Sequence, residues 1–167
     1  MVCETPEPPV AIIAPVLEPT AKELVESRLK SEAWERIDRI DEAIQSYPQL
    51  DLPLTHTFTK GLYTRTIYMP AGAGITTRIH LTEHPFLLSK GVVSVWSGEG
   101  GWVKISAPHL GITTPGTRRV LFIHEDAVWS TFHVTDETDP DKIALQMTYS
   151  EGKFSELGIA AATKELK

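Results

Sequence analysis

Cysteine is almost absent from this chain: Cys3 is the only one among 167 residues. No internal disulfide can form, and a lone thiol near the start of the chain offers little to redox chemistry. Long apolar runs are also missing. None approaches the ~20 residues that cross a membrane as a helix, and the first residues, Met-Val-Cys-Glu-Thr-Pro-Glu, lack the basic and apolar regions of a secretory signal, so a cytoplasmic location is expected. Basic residues are in deficit, with 16 Lys and Arg against 22 Asp and Glu and a net charge of -6. That balance argues against nucleic-acid binding, which uses a basic surface, and the Arg118-Arg119 pair is too small to supply one. No nucleophile elbow, phosphate loop or zinc-finger spacing occurs. The Gly-rich Ser97-Gly-Glu-Gly-Gly segment precedes no helix that could offer its N-terminus to phosphate, and reads as a hairpin loop.

What remains is an ordinary globular composition, 41% hydrophobic and 23% charged, sufficient for one core. Residues 1–19 hold five of the twelve prolines around the apolar run 10–17, a pattern of extended arms that leaves a partner groove or sheet edge as one use of the run. Residues 20–47 form a helical region. Thr20 and Glu23 make a capping box, Tyr47-Pro48 supplies the stop, and Ala33, Ile37, Ile40, Ile44 and Tyr47 form an apolar stripe. An unbroken helix over 21–45 would span roughly 37 Å, longer than a small barrel is wide, so the first half either forms a separate helix or projects toward a partner.

From residue 50 to 149 the pattern is short strands at 62–69, 91–96, 102–107, 120–124, 128–134 and 143–149, separated by turn signals that include Thr114-Pro115-Gly116 and His124-Glu125-Asp126. A jelly-roll barrel fits this many strands. Residues 150–167 form a C-terminal tail in which a helix is one reading.

The segment 72–91 concentrates the chemistry. Gly and Pro punctuate β-branched runs there, so His80 closes one strand and His84 opens the next. By the two-residue period His84 shares a face with Phe86 and Leu88 and points into the barrel. A buried imidazole needs a partner: a metal, a ligand or another side chain.

These residues resemble the cupin superfamily. Its first motif, G-x5-H-x-H-x3-E-x6-G, falls on Gly72, Arg78, His80, His84 and Gly91 with every interval kept, Arg78 replacing the first histidine and His84 the glutamate. The second motif is weaker: Gly116 fits, Pro115 is one place late, and Arg119 and Ile123 replace the histidine and asparagine. Phrases such as Met-Pro-Ala-Gly at 69–72 and His-Leu-Thr-Glu-His-Pro at 80–85 also resemble small cupins of tailed bacteriophages and prophages, over roughly residues 50–140. The resemblance implies a mainly β fold, a double-stranded β-helix, with motif residues lining the barrel mouth.

Arginine cannot ligate a cation, so two of the usual ligand positions are lost. With a turn at 125–126, Arg119 would lie opposite about Thr131, bringing His133 onto the same face. His80, His84 and His133 then form a candidate site for zinc, iron or nickel, with Glu83 as a further ligand or an acceptor behind it. Alternatively Arg78 and Arg119 hold a small anion, or pair with Glu83 or Glu125. Against these stands a non-catalytic role, as an accessory or virion component of a phage, in which residues 1–47 bind a protein partner and the barrel forms a homo-oligomer or part of an assembly. No catalytic residue emerges from the pattern.

Overall fold

The structure, a computed structural model, describes residues 19–29 and 31–149. The expectations for the Pro-rich arm before residue 19 and for the tail over 150–167 lie outside these residues.

The capping box forms. The Thr20 N–H donates to Glu23 Oε2 at 2.8 Å, and the Glu23 N–H donates to Thr20 Oγ1 at 3.3 Å, starting helix α1 (Ala21–Leu29). A second helix, α2 (Glu32–Gln45), follows an extended Ser31 at φ -87° and ψ 140°. The region is therefore two helices. The break lets both reach one wall of the barrel, where Val25, Ala33, Trp34 and Ile37 bury against Ile79 and Val120. Complete burial of such side chains is worth roughly 1.5–3 kcal/mol each, enough to hold the pair down. Polar pins add to it: Arg118 pairs with Asp38, and Thr76 donates to Asp41.

Seven strands follow: β1 (Leu54–Thr59), β2 (Leu62–Met69), β3 (Gly74–Thr76), β4 (His84–Trp96), β5 (Val103–Ser106), β6 (His109–Thr113) and β7 (Val120–Val134). All pairings are antiparallel, in the order β1-β2-β7-β4-β5, with β3 on β7 and β6 on β4. The long strands β4 and β7 bend midway and serve both halves of the barrel. The first half of β4 pairs with β6 and the end of β7; the second half pairs with β5 and the start of β7. The bend shows as register shifts between Leu88 and Val93. Gly91 permits it, with φ at +91° and a position where a Cβ would lie 2.6 Å from the Asp126 carbonyl oxygen. Only glycine tolerates both the dihedral and the approach. Inside, Met69, Phe86, Leu88, Val93, Leu121, Ile123 and Trp129 form the barrel core.

Two expectations are corrected. His124-Glu125-Asp126 is not a hairpin turn but the exposed bend of the continuous strand β7. Polar residues signal a turn, yet the same composition suits the outer side of a bent strand. Residues 143–149 are not a strand either. Asp139 accepts from the N–H groups of Asp141 and Lys142 at 3.0 and 3.4 Å, Pro140 follows, and helix α3 (Pro140–Met147) results. An Asp-Pro start outweighs the weak alternation behind it. Among the described residues no helix is long and apolar enough to cross a membrane.

Candidate functional site

The strand register arranges the inner face in rows. Tyr63 on β2 pairs with His133 on β7, and His84 on β4 pairs with Thr113 on β6. Since Phe86 pairs with Thr131, His84 comes beside His133, two residues further along antiparallel strands. The outer row therefore reads Tyr63, His133, His84, Thr113. One row deeper stand Arg65, Thr131 and Phe86, and below these Ile67, Trp129 and Leu88. Chemistry changes with depth, from imidazoles at the rim to an apolar floor.

His80 and Arg119 complete the rim from the opposite wall. His80 is held by its N–H to the Thr117 carbonyl at 3.0 Å and by a bridge to Thr148. The rings of His80 and His84 lie 4.7 Å apart, those of His84 and His133 4.3 Å. All border a cavity of about 450 Å³ that Arg65, Arg78 and Arg119 also line, with Met69, Ile75, Leu121 and Trp129 at its base and α3 as its roof. The roof is fastened to the rim: the Leu81 N–H donates to the Met147 carbonyl at 2.8 Å, and the Tyr149 N–H to Ile79 at 2.8 Å.

The protonation pattern follows from these partners. His84 Nδ1 lies 3.0 Å from the Thr82 carbonyl; a carbonyl only accepts, so Nδ1 carries the hydrogen and Nε2 of the neutral ring is a bare lone pair. Among the described residues that Nε2 is buried without a partner, as are Nδ1 of His80 and Nδ1 of His133. Burial, the neighbouring imidazoles and the guanidiniums of Arg119 and Arg65 push His80 down to about 3. Burial, His84 and Arg65 hold His133 at about 4. For His84, burial lowers the value, opposed by the Thr82 hydrogen bond. All three are neutral at pH 7.

Arg119 is half-buried. Its Nη1 donates to Thr113 Oγ1 at 2.9 Å, and its guanidinium lies 5.3 Å from the centre of the Phe86 ring. Burial lowers the Arg119 value, while Arg65 and Arg78 line the cavity as exposed residues; all three guanidiniums stay charged at neutral pH. Among the described residues none of Arg65, Arg78 and Arg119 is ion-paired. The expected pairings with Glu83 or Glu125 do not form.

The structure thus brings together His80, His84, His133, Arg78 and Arg119 and leaves out Glu83, which is exposed and does not line the cavity. The route to His133 was different from the one expected: β7 does not fold back, and Arg119 does not face Thr131, whose partners are Arg65 and Phe86. Sequence reasoning missed Arg65, Tyr63 and Asp141. The alternation Tyr63, Arg65, Ile67, Met69 could have found the first two, had it been clear which face of β2 turns inward.

A transition metal is the group that the cupin resemblance implies, and the three partnerless nitrogens test it. Neutral imidazoles suit zinc, iron or nickel as donors. Their surroundings do not suit a cation, since among the described residues three guanidiniums and a single carboxylate, Asp141, line the cavity. At a separation of roughly 6 Å, a divalent ion and one guanidinium repel by about 5.5 kcal/mol at an effective dielectric of about 20. As placed, no group of three or more His, Cys, Asp or Glu side chains among the described residues is arranged to hold a metal ion. The donors fit in kind; their arrangement and the local charge do not.

The strand layout, with two long bent strands shared between both halves of one antiparallel barrel, defines a cupin-like double-stranded β-helix. No family model and no curated protein matches the chain. Solved structures with a similar fold include a cupin-2 domain containing protein from Shewanella frigidimarina, 7% identical over 57% of this chain and 92% of that one at a TM-score of 0.41. An acetylacetone dioxygenase from Acinetobacter johnsonii is 17% identical over 57% and 71%, at 0.43. A cupin superfamily protein from Desulfitobacterium hafniense is 4% identical over 54% and 83%, at 0.43. Likeness at TM-scores below 0.5 carries no argument about what this chain does.

Proposed function

We propose that the barrel mouth binds a small organic anion. The observation that supports this reading best is the charge around the cavity: Arg65, Arg78 and Arg119 against Asp141 alone, in a chain whose net charge is -6. A half-buried guanidinium without an acidic partner is costly unless an anion completes it. Thr113 fixes one Nη of Arg119, leaving its remaining N–H groups for a carboxylate fork. His80 and His133 adopt whichever tautomer donates to the ligand, and the bare Nε2 of His84 takes a hydrogen from a ligand hydroxyl or a bridging water. Calorimetric titration of untagged, chelator-treated protein with acetate, benzoate and phosphate tests it. Binding that weakens at least about tenfold in Arg119→Gln is expected; a silent titration with all three anions refutes it.

A metal-binding reading is favoured by the His84 tautomer alone, since an imidazole that donates Nδ1–H to a carbonyl and bares Nε2 has the form of a metal ligand. His80, His84 and His133 would hold the ion, which would supply a Lewis-acid centre, and the rings would first have to reorient. Elemental analysis of untagged protein decides it: stoichiometric metal, lost in His80→Ala and His84→Ala, would establish the site.

A role as an interaction protein, including an accessory or virion component of a phage, gains support from the exposed apolar side chains Trp102, Val103, Leu110 and Ile112 on and beside β5 and β6. Such a surface suits a homo-oligomer. The helices are committed to the barrel wall, so partner binding by the N-terminal region would fall mainly to residues 1–18. Sedimentation of the full chain beside a form lacking residues 1–18 tests this; identical monomers in both cases contradict it.

A further inference from the structure

Resting on the anion reading, the cavity also carries information about the rest of the ligand. Its charged and polar side chains lie at the rim and in the row beneath it, where Arg65 and Thr131 stand. Beneath the imidazoles and guanidiniums lie Ile67, Met69, Ile75, Leu121 and Trp129, of which Met69, Leu121 and Trp129 belong to the barrel core. Charge and apolar floor are contiguous, because the Arg119 guanidinium lies 5.3 Å from the centre of the Phe86 ring and that ring stacks on Trp129 at 4.4 Å. The roof is mixed in the same sense: Ile143, Ala144 and Met147 of α3 border the cavity, with Asp141 at the helix start.

From this layering we infer that the site takes an amphipathic monocarboxylate, its carboxylate on Arg119 and the neighbouring guanidiniums and its apolar body on the floor around Trp129. A bare inorganic anion would satisfy the rim and leave the floor facing water. A polyhydroxylated anion would carry several hydroxyls to a floor whose own hydrogen-bonding group is one donor, the Trp129 indole N–H. A second carboxylate placed deep would meet mainly apolar atoms and no charge to balance it, and one placed at the roof would meet Asp141. An alkyl or aromatic body meets neither obstacle, and each pair of methylenes buried on the floor strengthens binding about tenfold.

The test is a titration of untagged, chelator-treated full-length protein with octanoate, acetate, phosphate and octan-1-ol, read by calorimetry and by tryptophan fluorescence. Octanoate should bind at least about a hundredfold tighter than acetate or phosphate and change the emission of the wild type but not of Trp129→Phe. Arg119→Gln should weaken octanoate about tenfold or more, and Arg65→Gln serves the same purpose if that variant does not fold. Octanoate binding no tighter than acetate overturns the amphipathic ligand and leaves the anion site standing. Octan-1-ol binding as tightly as octanoate overturns both, because charge would then play no part. Failure of all four probes to bind also overturns both.

Discussion

Lowering the pH from 7 to 5 should destabilise this protein well before its carboxylates titrate. His80 and His133 have ordinary values of 6.5 when unfolded and about 3 and about 4 when folded. Between those values the unfolded chain takes up protons that the folded chain refuses, so stability is present above about pH 6.5 and is lost as the pH falls toward the folded values. Each ring costs about 1.4 kcal/mol per pH unit below 6.5, hence about 2 kcal/mol at pH 5. The two together cost about 4 kcal/mol, a large part of the roughly 5–15 kcal/mol that holds a domain folded. His84 is shifted in the same direction and adds to the loss. Glu23 and Glu137 have values held below 4.5 by hydrogen bonds, so they contribute at lower pH. Urea denaturation at pH 7.0, 6.0 and 5.0 measures the slope, with His80→Gln and His133→Gln each expected to remove roughly half of it. A free energy of unfolding unchanged from pH 7 to 5 in the wild type would refute the burial of neutral imidazoles at the rim.

Other perturbations read other parts of the structure. Gly91→Ala places a Cβ 2.6 Å from the Asp126 carbonyl oxygen at a φ of +91°; a loss of more than about 2 kcal/mol is expected in denaturant unfolding, and a neutral result would mean that β4 does not bend there. Ile37→Ala removes a fully buried side chain from the helix–barrel seam and should cost about 2–5 kcal/mol. A change below about 1 kcal/mol would show that α2 does not pack as described. Ala substitution of Arg118, whose side chain is 13% exposed and pairs with Asp38 and Asp41, should cost about 1 kcal/mol at low salt and less at high salt; a salt-independent loss would point to packing instead of charge.

Fold and rim were legible in the sequence to different degrees. The spacing of Gly72, His80, His84 and Gly91 identified the barrel because each position has a local demand: Gly91 a left-handed φ, His84 an inward face. Hydrogen bonds between Thr20 and Glu23 are equally local, and the capping box formed as read. His133 lies far along the chain, and no local pattern joins it to His84; only the antiparallel register of β4 and β7 does so. Arg65 and Tyr63 stayed hidden because both faces of β2 mix polar and apolar residues, which leaves the inward side ambiguous. Helix α3 was read as a strand since its alternation outshone a cap that rests on the single dipeptide Asp139-Pro140. Glu83 carries a motif-adjacent carboxylate, yet its position beside inward-facing His84 turns it to solvent.

The most direct measurement of the site is a long-range proton–nitrogen spectrum of the histidine rings in chelator-treated protein at pH 7, recorded before and after adding octanoate. Three neutral rings are expected for His80, His84 and His133, with His84 protonated at Nδ1 only and all three shifting when octanoate binds. Imidazolium signals from these three rings at pH 7 would contradict the buried neutral rim, and rings that ignore octanoate and acetate alike and respond only to added zinc would contradict an anion-binding barrel mouth.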